Sequence, residues 1–364
     1  MPFEFDNRFI EEALRLAQRG KGITQPNPTV GAVLVKNGKI ISSGYHKGAG
    51  KAHAEVVALR KAKESIKGAT LFVTLEPCCH TGRTGPCTEV IINSGIKRVV
   101  ACTKDPNPLV NGKGFRILKK AGIEVVSNIM TKEARALNEA HFFYYQHKRP
   151  MVTLKLAQSL DGRIASTNGD SKYLSCRESL RFVHQLRSEN DAVMIGSNTL
   201  AQDNPSLNVR YVKGIDPYRI VVGTKPNLNS NLNLLKNNND HKTIIASTQK
   251  SVKNKLIDKF QLTNWIIKEN SDRSLNLNDL LKQTDNFGFK SILLEGGSQL
   301  ATFFLKKKLV DKIILFITPQ IIGEGIPAIG ELKIKTIAGS LKFKNYEYKK
   351  IGTDLMFVGY PDWK

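Results

Sequence analysis

Three short stretches carry the residue types that hold a metal. His53-Ala54-Glu55 opens a segment with helical spacing, Pro77-Cys78 follows the apolar run at 71–75, and Cys87 opens the next helical segment. One imidazole and two thiolates give Zn²⁺ three soft ligands and leave the fourth tetrahedral position for water, the arrangement of a catalytic rather than a closed structural site. Glu55 stands two residues past His53, so it does not lie over it on a helix. It is placed to move protons beside a metal without ligating it. Attack of water on an amidine-like carbon, followed by loss of ammonia, needs such a group to accept the water proton and return it to nitrogen. Cys79 is a competing thiol. Cys78 is preferred because it directly follows Pro77, where strand hands over to loop. The alternative is a four-ligand zinc knot of His53, Cys78, Cys87 and either Cys79 or His80.

The elements that position these residues follow from hydrophobic periodicity. Residues 6–19 place Phe9, Ala13, Leu14 and Ala17 on one helical face. Residues 30–35 and 39–43 flank Asn37-Gly38, a type I′ turn dipeptide, and predict a β-hairpin. Helices are expected at 53–65, 87–94 and 114–121, and strands at 69–75, 98–102 and 124–126. That alternation implies an α/β/α layered domain. The stretch 140–150 is aromatic, then basic, then Pro, and the pattern restarts after it, which puts a domain boundary near 146–150. Strands follow at 151–157, 191–196, 218–223, 243–247, 290–295 and 311–317, with helices at 177–189 and 298–308. The Asn-rich block 225–241 reads as a loop or excursion.

With 364 residues, two domains are expected. An apolar share of 41% and a charged share of 24% are ordinary for a core-forming protein and exclude disorder and disulfide scaffolds. No run approaches a membrane span, and the amphipathic N-terminus lacks the form of a signal peptide, so a cytoplasmic protein with no membrane partner is expected. The formal charge of +23 is shared as +11 before residue 149 and +12 after it, without a basic arm. It suits phosphorylated small molecules as well as polyanions. Cys102 and Cys176 read as inert thiols.

H-x-E followed by P-C and a later Cys is the pattern of zinc nucleobase deaminases, although eight residues here separate Cys78 from Cys87 where the common spacing has two. That long loop, with the further stretches around it, resembles the bifunctional deaminase–reductases of riboflavin biosynthesis. The stretches are Pro26-Asn27-Pro28-Thr29-Val30-Gly31, Gly44-Tyr45-His46, His53-Ala54-Glu55, residues 76–87 (EPCCHTGRTGPC) and Asp105-Pro106-Asn107-Pro108. The resemblance implies that Asn27, His46, His80, Arg83, Asp105 and Asn107 line the pyrimidine and ribose-phosphate pocket. Gly85 stands where the family usually has Pro.

The second half has no G-x-G-x-x-G fingerprint. It has Gly296-Gly297 between an expected strand and a helix beginning at Ser298, a turn that admits a phosphate to backbone donors. Residues 155–163 (KLAQSLDGR), Gly196-Ser197-Asn198-Thr199, residues 203–210 (DNPSLNVR) and Leu294-Glu295-Gly296-Gly297 resemble the reductase half of the same family. The resemblance implies a cytidine-deaminase-like α/β/α domain over 1–148 and a dihydrofolate-reductase-like α/β domain over 149–364. It further implies NADPH contacts at Ala157, Tyr173, Thr199, Asp203, Thr224, Gly297, Ser298, Gln299, Leu300, Ala301, Thr302 and Phe303. Substrate contacts are implied at Ser171, Arg187, Leu207, Arg210 and Glu295. Tyr173 replaces the family's common Trp, and Arg187 and Arg210 suit a phosphomonoester. Lys155, Asp161 and Glu295 are candidates for the proton donor of the reduction. The expected partners are a phosphorylated pyrimidine, one Zn²⁺ per chain, NADPH and a second copy of the chain in a homo-oligomer, with no nucleic acid. A nucleic-acid-editing deaminase and a zinc-stabilised RNA-binding protein are the rival readings. The long intercysteine loop and the whole second half speak against both.

Overall fold

Asn37 and Gly38 both adopt left-handed backbone, with φ of 50° and 72°, the geometry whose twist matches that of the strands it joins. They close a hairpin between β1 (Gly31–Lys36) and β2 (Lys39–Tyr45). The computed structural model describes residues 3–171, 174–248 and 255–363, and separates into two compact units, Met1–Lys148 and Arg149–Lys364.

In the first unit α1 (Phe3–Gln18) precedes the hairpin. After it come α2 (Ala54–Lys61), β3 (Thr70–Val73), α3 (Cys87–Asn93), β4 (Arg98–Ala101), α4 (Lys113–Lys120), β5 (Glu124–Ser127), α5 (Thr131–Leu137) and α6 (Glu139–His147). The sheet runs β2-β1-β3-β4-β5, antiparallel at β1 and parallel from β3 to β5. Strand side chains alternate between faces, and here both faces are apolar. Leu34, Leu71, Val73 and Val99 pack with Val56, Ile91 and Phe115 from α2, α3 and α4. Val33, Phe72 and Val100 pack on the other side with Phe9, Ile10 and Ala13 of α1 and Ala134 of α5. That is the three-layer arrangement the alternation predicts. Gly31 lets α1 lie directly on β1, since a Cβ there would come within 2.0 Å of the Ala13 carbonyl oxygen.

The second unit contains β6 (Met151–Gln158), β7 (Arg163–Ser166), α7 (Arg177–Glu189), β8 (Ala192–Gly196), α8 (Ser197–Asp203), β9 (Tyr218–Val222), α9 (Asn233–Lys236) and β10 (Thr243–Ser247). These are followed by α10 (Lys255–Lys259), β11 (Thr263–Ile266), α11 (Leu277–Asn286), β12 (Ser291–Leu294), α12 (Ser298–Lys306), β13 (Lys312–Ile317), β14 (Gly325–Pro327), β15 (Lys342–Ile351) and β16 (Asp354–Asp362). Nine strands form one sheet in the order β11-β10-β9-β8-β12-β6-β13-β16-β15. It is parallel from β11 to β13 and ends in the antiparallel hairpin β15–β16. Met194, Ile220, Ile292 and Leu294 face one core, and Val193, Val221 and Leu293 face the other. The Asn-rich block is not wholly loop. Leu232, Leu234 and Leu235 are buried, and α9 makes one helical turn there. Among the described residues no helix is long and apolar enough to cross a membrane.

Candidate functional site

His53 is the N-cap of α2 and Cys87 the first residue of α3, while Cys78 lies in the loop after β3. These elements bring His53 Nδ1, Cys78 Sγ and Cys87 Sγ within 4.8 Å of one another. Nδ1 is 3.2 Å from Cys87 Sγ and 3.4 Å from Cys78 Sγ. Cys79 is turned away, its thiol directed at the Leu109 carbonyl, and it is not part of the cluster. A borderline-soft ion accepts this donor set of one imidazole and two thiolates, so the residues fit zinc with a ligand position left open. Hydrogen bonding from the Cys87 side chain, helped by His53, pulls the Cys78 thiol far below its ordinary pKa, while its Cys87 partner is pushed up. The far nitrogen of His53, Nε2, is 3.3 Å from Thr84 Oγ1. With Nδ1 ligating a metal, Nε2 would carry the proton and donate it to that hydroxyl. Glu55 is buried, and burial first, then Cys78, raises its pKa to about 7.

Of the residues expected to line a pyrimidine pocket, His46 and, through it, Asn27 adjoin this centre. His46 is buried, its ring edge-on to His53 at 5.2 Å between centroids. Its Nδ1 donates to the Ala52 carbonyl, so Nε2 accepts from Asn27 Nδ2 at 3.1 Å. Burial lowers its pKa and keeps it neutral. His80 is half-buried with Nδ1 lacking any partner, and Arg83 is exposed. Asp105 is buried and turned inward, accepting from the Asn107 backbone and pairing with His141 Nε2 at 3.0 Å. Asn107 in turn accepts from the Leu109 backbone.

Three residues that the sequence did not single out hold this arrangement. Glu76 accepts from the backbone N–H groups of Asp105, Gly112 and Phe115. It thereby fastens the turn carrying Pro77 and Cys78 to the start of α4, where Gly114 leaves no room for a Cβ, which would sit 2.2 Å from the Pro77 oxygen. Asn138 and His141, one turn apart, fasten the other two loops. Asn138 bonds the backbone of Thr29, and His141 holds Asp105.

In the second unit β9, β8 and β12 are neighbours, so their carboxyl ends at Gly223, Gly196 and Glu295 lie side by side, at the edge where α/β sheets bind ligands. Gly196 and Gly297 are the N-caps of α8 and α12. The Gly297 N–H donates to Thr199 Oγ1 at 3.1 Å, and Asn198 donates to Gln299 Oε1 at 2.9 Å. A Cβ on Gly296 would crowd Leu300 at 3.3 Å, so this glycine keeps a backbone cradle open. Ser298, Gln299 and Leu300 are accessible, and Thr224 and Asp203 are exposed. Ala157 is half-buried. The small residues at this strand-to-helix turn fit a nucleotide, although the Gly297 N–H is taken by Thr199.

The run 297–303 is not uniformly available, however. Ala301 is fully buried in the core, Phe303 packs against it, and Thr302 is spent bonding Ser298 O and Gly330 N. A helix must turn such positions inward. Ser171 is exposed, and Tyr173 lies outside the described residues.

Of the expected substrate contacts, Arg187 and Glu295 grip each other. Nε and Nη2 of Arg187 donate to the two carboxylate oxygens at 2.6 and 2.8 Å, and Nη1 reaches Asn208 O at 3.3 Å. The guanidinium edge expected for a phosphate is therefore occupied. Burial would raise the Glu295 pKa, but Arg187 outweighs it and holds the carboxyl low. Lys155 is half-buried beside this pair, and desolvation lowers its pKa. Leu207 is buried in the apolar core, with φ of 52°. Arg210 is exposed, with Nη1 on Asn208 Oδ1 at 2.6 Å. Asp161, a candidate proton donor, accepts instead from Ser159 and from the backbone of Ile322 and Gly323, and these bonds lower its pKa to about 2. It organises a loop. His184, unmarked in the sequence, accepts from the Arg210 backbone N–H at Nδ1.

The chain resembles known proteins along its whole length. Residues 150–357 match the RibD C-terminal domain family, and residues 3–103 match the cytidine and deoxycytidylate deaminase zinc-binding region. The riboflavin biosynthesis protein RibD of Aquifex aeolicus is 45% identical over 354 residues, covering 97% of this chain and 98% of that one. That of Escherichia coli K12 is 36% identical over 360 residues, covering 96% and 98%. The solved Acinetobacter baumannii RibD superposes with a TM-score of 0.90 at 34% identity over 99% of each chain. A Thermotoga maritima diaminohydroxyphosphoribosylaminopyrimidine deaminase/5-amino-6-(5-phosphoribosylamino)uracil reductase gives 0.84 at 34% identity over the full length of both.

Proposed function

The chain belongs to the RibD family, the bifunctional deaminase–reductases of riboflavin biosynthesis, and from that premise we propose which residues carry each activity and on which compound. Residues 1–148 hydrolytically deaminate 2,5-diamino-6-ribosylamino-4(3H)-pyrimidinone 5′-phosphate. Residues 149–364 then reduce its ribosyl group with NADPH to give 5-amino-6-ribitylaminouracil 5′-phosphate. The observation that carries this reading is the convergence of His53, Cys78 and Cys87 beside the buried carboxyl of Glu55.

His53, Cys78 and Cys87 would hold one zinc ion, which supplies a Lewis acid that makes water nucleophilic near neutrality. Glu55 takes the proton of the attacking water and delivers it to the 2-amino nitrogen. A C–O bond forms, the C–N bond breaks and ammonia leaves. Asn27 and the neutral His46 form a linked pair that offers hydrogen bonds to the pyrimidine, and the exposed Arg83 answers the phosphate.

In the second unit, the glycine turn at 296–297, Thr199 and Thr224 would cradle NADPH, which when bound would supply the hydride for the sugar C1 and be left as NADP⁺. The sugar oxygen must take a proton as the ring opens. With Asp161 committed to its loop, Lys155 and Glu295 remain the groups that could move that proton. Arg210 binds the substrate phosphate.

The test is one zinc per chain, ammonia release from the diaminopyrimidine phosphate, and NADPH oxidation that depends on the deaminated product. Ammonia release that survives removal of zinc, or NADPH oxidation without that product, would overturn the assignment.

A further inference from the structure

We propose that His184 is a positioning residue for the substrate phosphate: it anchors the segment that carries Arg210 through a neutral acceptor, leaving the guanidinium free for the anion. The proposal rests on the reading of Arg210 as the phosphate ligand. Residues 207–210 belong to no helix or strand, yet consecutive backbone groups are held by side chains. Asn208 O accepts from Arg187 Nη1, Val209 N donates to Asp216 Oδ1 at 2.7 Å, and Arg210 N donates to His184 Nδ1 at 3.0 Å. The preceding Leu207 is buried with left-handed backbone, a conformation that costs a non-glycine residue about 1–2 kcal/mol. It persists only where surroundings impose it. The segment is preorganised.

His184 and Arg187 lie three residues apart on α7 and therefore share a face. Arg187 is spent on Glu295 and Asn208. Arg210 donates from Nη1 to Asn208 Oδ1, and its side chain is exposed. The buried His184 ring also packs edge-on against Tyr211, 4.5 Å between centroids. Accepting at Nδ1 requires an unprotonated ring. Burial, then the charges of Arg187 and Arg210, lowers the His184 pKa to about 4 and ensures that. A carboxylate could accept the same N–H, but its charge would compete with the phosphate for Arg210. A neutral imidazole avoids that competition.

The experiment uses the full-length protein and steady-state NADPH oxidation, with the deaminated ribosylaminouracil 5′-phosphate and its dephosphorylated counterpart as substrates. His184→Phe keeps a ring but removes the acceptor, whereas His184→Asn offers Oδ1 near the position of Nδ1. Losing one hydrogen bond and the order it imposes should raise KM for the phosphorylated substrate about 5–10-fold in His184→Phe. The kcat, the KM for NADPH and the kinetics on the dephosphorylated substrate should stay within about twofold, and His184→Asn should restore most of the loss. In an Arg210→Ala background, His184→Phe should add nothing. His184→Ala, which adds no bulk, is measured alongside in case the Phe variant does not fold. An unchanged KM in both acceptorless variants, with Arg210→Ala still impaired on the phosphorylated substrate alone, would sink the role of His184 and spare that of Arg210. An Arg210→Ala variant that does not distinguish the two substrates would overturn the phosphate reading beneath it. Equal loss of kcat on both substrates would reduce His184 to a structural residue.

Discussion

Replacing Arg187 with Met removes a guanidinium that makes two short bonds to Glu295, while keeping the apolar stem. The two side chains are 13% and 10% exposed, so solvent screens the pair little. The Glu295 carboxylate would be left largely out of solvent, with the Lys155 cation still nearby. Removing one partner of such a pair typically costs about 3–5 kcal/mol, because an uncompensated charge stays inside. In a unit of this size each kcal/mol moves Tm by about 2–4 °C. The transition of residues 149–364 should therefore fall by roughly 6–20 °C. Differential scanning calorimetry of the whole chain measures this, with the transition of residues 1–148 as internal reference. Adding Glu295→Gln removes the stranded charge and should recover most of the loss. The effect also has a pH signature. Because the Glu295 pKa is depressed in the folded protein, the pair's contribution is complete above the unfolded carboxyl value of about 4.3 and fades as pH falls through the folded value. Without Arg187, burial would raise the stranded carboxyl's pKa, so the gap should be widest near pH 7, narrow as that group protonates, and close below about pH 4.3. A Tm drop under about 2 °C at pH 7, or no recovery in the double variant, would refute the reasoning.

Four other outcomes follow from the same geometry. Glu55→Gln should lower deamination about 10²–10⁴-fold with zinc still at one per chain; loss of the metal would make Glu55 a ligand. Cys78→Ser and Cys87→Ser should lose both zinc and deamination, whereas Cys79→Ser, directed at Leu109 rather than at His53, should keep most of each, as metal analysis and ammonia assay would read. Thr84→Val removes the acceptor at His53 Nε2 and should weaken zinc retention about 10–100-fold in a chelator competition, with Thr84→Ser restoring it; unchanged retention would leave Thr84 without a role at the metal. A fragment of residues 149–364 should oxidise NADPH with the deaminated substrate in the presence of a chelator, and a folded fragment that binds NADPH without turnover would show that its site needs residues from elsewhere.

The fold class was legible because short apolar strand runs alternate with amphipathic helices along both units. The strands at 98–101, 192–196 and 243–247 and the helix at 177–189 each bury faces that their spacing announces. The closing hairpin β15–β16 was not legible. Its outer strand reads KFKNYEYKKI and is largely exposed, as an edge strand must be to resist further pairing, so no apolar alternation marks it. α6 was hidden for a different reason. Its nine residues are aromatic on several sides, and an all-round apolar pattern followed by Lys-Arg-Pro reads as a junction rather than as a helix.

The two sites differ in legibility for a physical reason. The metal ligands and Glu55 fall within 35 residues, and soft donors are rare enough in a chain with five cysteines for their spacing to speak. Glu76 gave no such signal, since its backbone partners lie 29 to 39 residues away. The charged cluster of the second unit draws on residues 155, 187, 210 and 295. In a chain with 55 Lys and Arg, no local pattern separates a cation that meets a ligand from one that meets a carboxylate. Arg187 and Glu295, 108 positions apart, look like two independent ligand contacts until the strand order brings α7 beside the end of β12. Once paired, neither has its charge free for a phosphate, and the proposed reading leaves that task to Arg210, whose backbone N–H donates to His184. The division of labour among these arginines is therefore a property of the assembled sheet, and of no single motif in the chain.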